Sequence, residues 1–139
     1  MSPAPSGAER PPPRLPGGSE AGAAVTDFVM VSGLLTLLFV AVLQLGVALH
    51  VRNTLISCAS EGARLGARAD ASPGDGAARA RLLISRAISD AYARDVSAGV
   101  ETADGVQVVV VRVHAPMPVI GLLGPHDLEV AGRAFAEGQ

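Results

Sequence analysis

The feature that most constrains this chain is a run of 22 residues, Phe28 to Leu49, that contains no Asp, Glu, Lys, Arg or His. As an α-helix the run rises about 33 Å, which is enough for a hydrocarbon core of about 30 Å. A soluble fold would have to surround such a helix on all sides, and too little chain follows it to do so. The run therefore predicts a single transmembrane helix.

The charge and the metal-binding residue types exclude several functions. All 11 basic residues are Arg and the formal net charge is -2, so the chain offers no basic surface for nucleic acid. The single Cys58 excludes an intramolecular disulfide and a cysteine-based zinc cluster. His50, His114 and His126 lie too far apart in sequence for ligand spacing. We expect neither a metal nor another cofactor.

The apolar run divides the chain into three parts. Residues 1–22 are rich in Pro, Gly, Ser and Ala and predict a disordered leader. No proline interrupts the sequence from Val25 to Ser72, so we expect one helix over residues 23–69, with the membrane segment at 28–49. Beyond the membrane, small and apolar residues recur at alternating spacings of four and three and predict a packing stripe: Val51, Leu55, Cys58, Gly62 and Leu65.

Residues 70–139 predict a small α+β head. The turn formers of "DASPGDGAA" (70–78) end the long helix, and helical spacing of apolar residues follows from Arg79 to about Val96. "VQVVVVRVHAP" (106–116) is rich in β-branched residues and predicts a strand, and "DLEVAGRAFAE" (127–137) predicts a second. A shorter apolar piece, 119–123, lies between them. We expect the strands to pair as an antiparallel hairpin covered by the amphipathic helix and the stripe.

Two segments carry a resemblance to a known family. "GAAVTDF" (22–28) places an acid and then Phe five and six residues after a glycine, where the apolar run begins, and "VRNTLISCASEGAR" (51–64) has an Arg-Asn pair and a Glu-Gly-Ala-Arg ending. Together they resemble the TadE-like minor pseudopilins of the tight-adherence (Flp) pilus system, a branch of the type IV pilus proteins. The resemblance implies a pilin-like, non-enzymatic structural and assembly protein.

For individual residues, the resemblance implies that a prepilin peptidase cuts between Gly22 and Ala23. Asp27 then becomes residue five of the mature chain, where the family usually has Glu, and it is followed by Phe28. The resemblance further implies an inner-membrane protein with a cytoplasmic leader and an extracytoplasmic head. Its expected partners are the major pilin, other pseudopilins, the inner-membrane assembly platform and the lipid bilayer. Asp27 would pair with the new α-ammonium group of a neighbouring subunit.

Two other interpretations stay open at this point. The chain could be an unprocessed single-pass membrane protein whose head binds a ligand or partner. Alternatively, "LISC" (55–58) matches a lipoprotein processing box in residue types, although polar residues separate it from the apolar run. Processing there would give a secreted or lipidated domain that begins near Cys58 and could be enzymatic. The pair His126-Asp127 is explained better as a turn than as a catalytic site, and the glycine-containing "SPGDGAAR" (72–79) better as a turn and helix start than as a phosphate-binding site.

Overall fold

The computed structural model describes residues 1–4, 7–11, 18–117 and 127–137. The chain divides into two compact units, residues 1–39 and 40–139. The helices and strands follow in the order α1 (Ser19–Gly66), α2 (Pro73–Ala87), the short 3-10 helix Asp90–Ala93, β1 (Asp95–Ala103), β2 (Val106–Pro116) and β3 (Asp127–Phe135). This architecture confirms the predicted α+β class with a membrane-capable N-terminal helix.

Helix α1 is long and apolar enough to cross a membrane, and its most apolar stretch has no residue buried against the rest of the protein. Large side chains of the run are exposed, with Phe28 at 73% and Phe39 at 68% of their full accessibility. The helix is therefore not the core helix of a soluble domain. An apolar surface of this extent requires lipid or another protein to cover it. The helix begins at Ser19, within the segment expected to be disordered.

The second half of α1 packs into the head. Burial starts at Val51 and continues to the last helical residue, Gly66, along one side of the helix. The helix ends three residues before Ala69, where the predicted helix ends, and Arg68 then forms an ion pair with Asp70 at 3.1 Å. The buried residues are Val51, Leu55, Cys58, Ala59, Gly62, Ala63 and Gly66.

Helix α2 begins earlier than the apolar spacing predicted, at Pro73 instead of Arg79. Ser72 is its N-cap, and Ser72 and Asp75 form a capping box in which each side chain accepts a hydrogen bond from the other residue's backbone N–H. Pro73 fits at the first helical position because no intrahelical partner is needed for its missing N–H. The same turn formers that end α1 therefore start α2.

The sheet has three antiparallel strands in the order β1-β2-β3. The predicted pairing of β2 with β3 is confirmed, with Val113 opposite Val130. Strand β1 was not predicted; it pairs along its whole length with β2 through a two-residue turn at Asp104 and Gly105. Both turn residues have positive φ, 52° and 81°, as hairpin turns of this length favour. The apolar piece 119–123 and His126 lie outside the described residues.

Strand β3 runs alongside α1 in the same direction. Gly132 lies against the backbone of Ala59, and the N–H of Glu137 donates to the carbonyl of Ala67 at 2.7 Å. One face of the sheet thus lies on α1 and α2, and the core forms between them. Its largest fully buried side chains are Leu55, Ile84, Val111 and Val113.

Candidate functional site

The predicted processing site lies in the first turns of α1. Gly22 and Ala23 are both helical and exposed. The hydroxyl of Thr26 donates a hydrogen bond to the Gly22 carbonyl at 2.9 Å, which is the carbonyl of the bond predicted to be cut. A Cβ added to Gly22 would meet no atom within 4 Å. The glycine is therefore not required for packing within the described chain.

Asp27 and Phe28 are also exposed on α1. Asp27 is four residues after Ala23, so the two lie on the same side of the helix, about one turn apart. A helix whose first residue carries a free α-ammonium places that positive charge at the positive end of the helix dipole. A carboxylate one turn away can offset this charge, either within one chain or between neighbouring chains. The structure thus places Asp27 where it is accessible to a partner.

The packing stripe predicted from residues 51–65 lies at the interface between α1 and the head. Val51, Leu55, Cys58 and Gly62 are buried, and Leu65 is half-buried. The stripe is wider than the spacing predicted, because Ala59, Ala63 and Gly66 are also buried. The alternating spacing of four and three does not identify these small residues, because each lies one position after a predicted stripe residue. They extend the stripe on the side that faces the sheet or α2. The stripe packs inside the chain itself.

Two close backbone approaches explain the small residues in this interface. A Cβ added to Gly62 would lie 2.5 Å from the carbonyl oxygen of Gly76, and one added to Gly76 would lie 2.6 Å from that of Gly62. A Cβ on Gly132 would overlap the backbone of Ala59 and Ser60. Helix α1 is therefore held by α2 on one side and by β3 on another at near backbone contact.

Charged residues cluster on the face of the sheet that points away from the helices. Arg112 pairs with Glu101 and lies 3.9 Å from Glu129, and His114 lies 3.5 Å from Glu129 and 3.7 Å from Asp95. All of these side chains are at least 39% exposed. Ion pairs this exposed contribute little to stability. Within the described residues no group of three His, Cys, Asp or Glu side chains is arranged to hold a metal ion.

Cys58 is a buried thiol within this interface. Its side chain is 7% exposed, and burial raises the pKa of the thiol. A neighbouring cleft of about 420 Å³ is lined by residues of α1 and α2 that include Cys58, Glu61, Arg64 and Arg79. A thiol held protonated in a packed helix interior is a poor nucleophile. This position disfavours the interpretation of Cys58 as a lipid attachment site.

A comparison with known protein families matches residues of both predicted motifs. Residues 22–64 match the TadE-like protein family. The match begins at Gly22 and ends at Arg64, so it includes both "GAAVTDF" and "VRNTLISCASEGAR". The predicted resemblance is thereby confirmed. No curated protein and no solved structure matches the chain.

The segment that matches the TadE-like family, residues 22–64, lies entirely within α1. It contains the exposed apolar run and the first four positions of the packing stripe, but none of the sheet. The head thus packs on this segment through the buried residues from Val51 to Ala63. One helix carries the predicted processing site, the membrane-capable run and the surface that holds the head.

Proposed function

We propose that the chain is a membrane-anchored minor pseudopilin of a tight-adherence-type pilus or a related secretion system. The observation that carries this proposal is the TadE-like match joined to an exposed apolar run in one helix. A prepilin peptidase removes residues 1–22, and Ala23 becomes the N-terminus of the mature protein. The chain then acts by packing with other subunits and not by catalysis.

The proposed arrangement in the membrane follows from this role. The leader is cytoplasmic, residues 28–49 span the inner membrane, and the head is extracytoplasmic. The assembly platform and the peptidase act at the membrane, whereas the major pilin and other pseudopilins pack against the exposed helix. Phe28 to Leu49 offers these partners an apolar surface along its length. Such a surface suits lateral packing between membrane helices.

Asp27 has a specific part in the proposed packing. An ionised carboxylate just inside the apolar run costs a few kcal/mol without a partner. Pairing with the α-ammonium of a neighbouring mature chain removes that cost and fixes the register of the two helices. An ion pair at this depth contributes more to choice of partner and register than to stability.

An immunoblot of cells with and without an active prepilin peptidase tests the processing step. We expect the wild-type protein to migrate faster when the peptidase is active, and Gly22→Val to abolish the shift. Gly18→Val is the matched control, because neither glycine has an atom within 4 Å of an added Cβ. A Gly22→Val protein that stays full length yet supports normal pilus assembly would favour the unprocessed single-pass binding protein instead.

A further inference from the structure

An apolar groove lies between α1 and the end of the sheet where β2 finishes and β3 begins. It has a volume of about 500 Å³. Met117 and Leu128 form the wall on the side of the sheet, while the opposite wall belongs to α1. Arg52 stands at one end of the helical wall, beyond the last residue of the apolar run. The wall on α1 includes Ala41, Leu45, Leu49 and Arg52.

The position of this end of the sheet along α1 follows from the contact of Gly132 with Ala59. Leu128 lies four residues before Gly132, and four strand residues span about 13 Å. About nine residues of a helix span the same distance. Since β3 and α1 run in the same direction, Leu128 lies close to the level of residue 50. That level is the boundary between Leu49, which ends the apolar run, and His50, which follows it.

The exposure of the helical wall indicates what fills the groove. Leu45 is 60% exposed and Leu49 48% exposed, although both face the groove. In an anchored chain these residues lie in hydrocarbon, since they belong to the charge-free run. The groove is thus continuous with the lipid-facing surface of the helix. Arg52 lies at the depth of the headgroups, where its long side chain can keep its guanidinium at the phosphate level.

We propose that the groove binds an acyl chain of a phospholipid whose phosphate contacts Arg52, so that the end of the sheet rests on the bilayer surface. This inference rests on the proposed membrane anchorage. It goes beyond that anchorage because it assigns a membrane contact to the head. The head is thereby held against the membrane instead of standing away from it on a free stretch of helix.

Tryptophan fluorescence of the full chain in vesicles tests this proposal, because the sequence contains no Trp. Three single-Trp variants are reconstituted with phospholipids whose acyl chains are brominated or unmodified. Met117→Trp reports on the groove, and Leu37→Trp reports on the membrane segment. Phe135→Trp is the control, since Phe135 lies at the opposite end of β3 and is 74% exposed. Slow maleimide labelling of Cys58 confirms that the head of each variant is folded.

We expect brominated lipid to quench most of the Met117→Trp and Leu37→Trp emission and to leave Phe135→Trp unchanged. Quenching of Leu37→Trp without quenching of Met117→Trp would overturn the lipid groove and leave the anchor intact. Met117→Trp that is shielded from aqueous acrylamide but not quenched by brominated lipid would assign the groove to a protein neighbour and also overturn the proposal. No quenching of Leu37→Trp would overturn the membrane anchorage and this inference with it.

The contact with Arg52 is tested by the lipid headgroup. In the Met117→Trp background, brominated phosphatidylglycerol should quench more strongly than brominated phosphatidylcholine at the same mole fraction. Arg52→Gln should remove this difference, whereas Arg79→Gln on α2 should preserve it. Equal quenching by the two lipids before any change at Arg52 would overturn the assignment of the phosphate to this side chain.

Discussion

At the scale of single residues, Asp27 is the position on which subunit packing is proposed to depend. Its carboxylate is one methylene shorter than the Glu usual in the family, so its reach to a neighbouring amine is shorter. Asp27 is exposed on α1 and lies one turn from Ala23. The charge and the reach of this side chain can therefore be varied separately by substitution.

Changing Asp27 tests the proposed ion pair. Asp27→Ala should leave membrane insertion intact, since it removes a charge from the edge of the apolar run. It should reduce co-purification with other pilus subunits, because the neighbouring α-ammonium loses its partner. Asp27→Glu should preserve or improve co-purification. The measurement is affinity purification from detergent-solubilised membranes, and an Asp27→Ala protein that recovers its partners at the wild-type level would exclude the pairing.

Gly132 is the residue at which the sheet approaches α1 most closely. A Cβ there would overlap the backbone of Ala59 and Ser60, which neither side chain rotation nor solvent can relieve. We expect Gly132→Ala to lower the free energy of unfolding of the head by about 1–3 kcal/mol, the usual range for overpacking. Thermal unfolding of the full chain in detergent micelles measures this change.

Gly99 provides the matched control for Gly132. It lies in β1 of the same sheet, and a Cβ there would meet no atom within 4 Å. Gly99→Ala should be neutral or stabilise the head by up to about 1 kcal/mol, because a strand glycine loses more backbone freedom on folding than alanine. Equal effects of the two substitutions would contradict the close contact between β3 and α1.

At the scale of elements, the capping box defines the start of α2. The Ser72 hydroxyl donates to Asp75 Oδ2 at 2.7 Å, the Ser72 N–H donates to the same oxygen at 2.8 Å, and the Asp75 N–H donates back to Ser72 Oγ at 3.3 Å. These bonds from Ser72 lower the pKa of Asp75, because they favour its charged form. We expect Ser72→Ala to destabilise the head by about 1 kcal/mol at neutral pH.

The sign of the pH dependence follows from the lowered pKa of Asp75. The unfolded chain takes up a proton on Asp75 more readily than the folded chain does. Its contribution to stability is therefore present above the unfolded pKa and is lost as the pH falls through the folded pKa. Acidification should destabilise the wild type more than Asp75→Asn, which cannot titrate. Parallel pH profiles of the two melting temperatures would contradict this contribution.

Strands β2 and β3 could be predicted from sequence, whereas β1 could not be found by its side chains. β2 is the central strand, and its four consecutive valines are β-branched residues that favour a strand on composition alone. β1 is an edge strand of mostly small and polar residues, and its pairing with β2 determines its structure. The available signal was the Asp104-Gly105 pair, a strong hairpin signature. Apolar spacing marks α2 only from Arg79, because its first turn, Pro73 to Gly76, contains no large apolar residue.

At the scale of the whole molecule, the thiol of Cys58 reports whether the head is packed on α1. Maleimide should label native Cys58 slowly, since the side chain is 7% exposed and burial raises its pKa. The control is the double variant Cys58→Ser, Ser57→Cys, because Ser57 is exposed at the adjacent position of the same helix. The control should label fast. Equal labelling rates in the folded protein would contradict the packing of this stripe inside the chain.

The TadE-like segment is easier to recognise from sequence than the fold of the head. An apolar run without charges needs no tertiary structure to be recognised, because its length and composition alone match a bilayer. The predicted processing motif is recognised by the spacing of Gly22 and Asp27 from each other and from the apolar run. By contrast, the contacts of Gly62 with Gly76 and of Gly132 with Ala59 join residues far apart in sequence. Only the folded chain brings them together.

The N-terminal residue of the mature protein tests the central claim most directly. The full chain is expressed with an active prepilin peptidase, extracted from membranes and analysed by mass spectrometry of its N-terminal peptide. The account predicts a start at Ala23, with Gly22→Val retaining residues 1–22 under the same conditions. A wild-type protein that keeps its leader, or one that begins at Ser19 or Cys58, would contradict it.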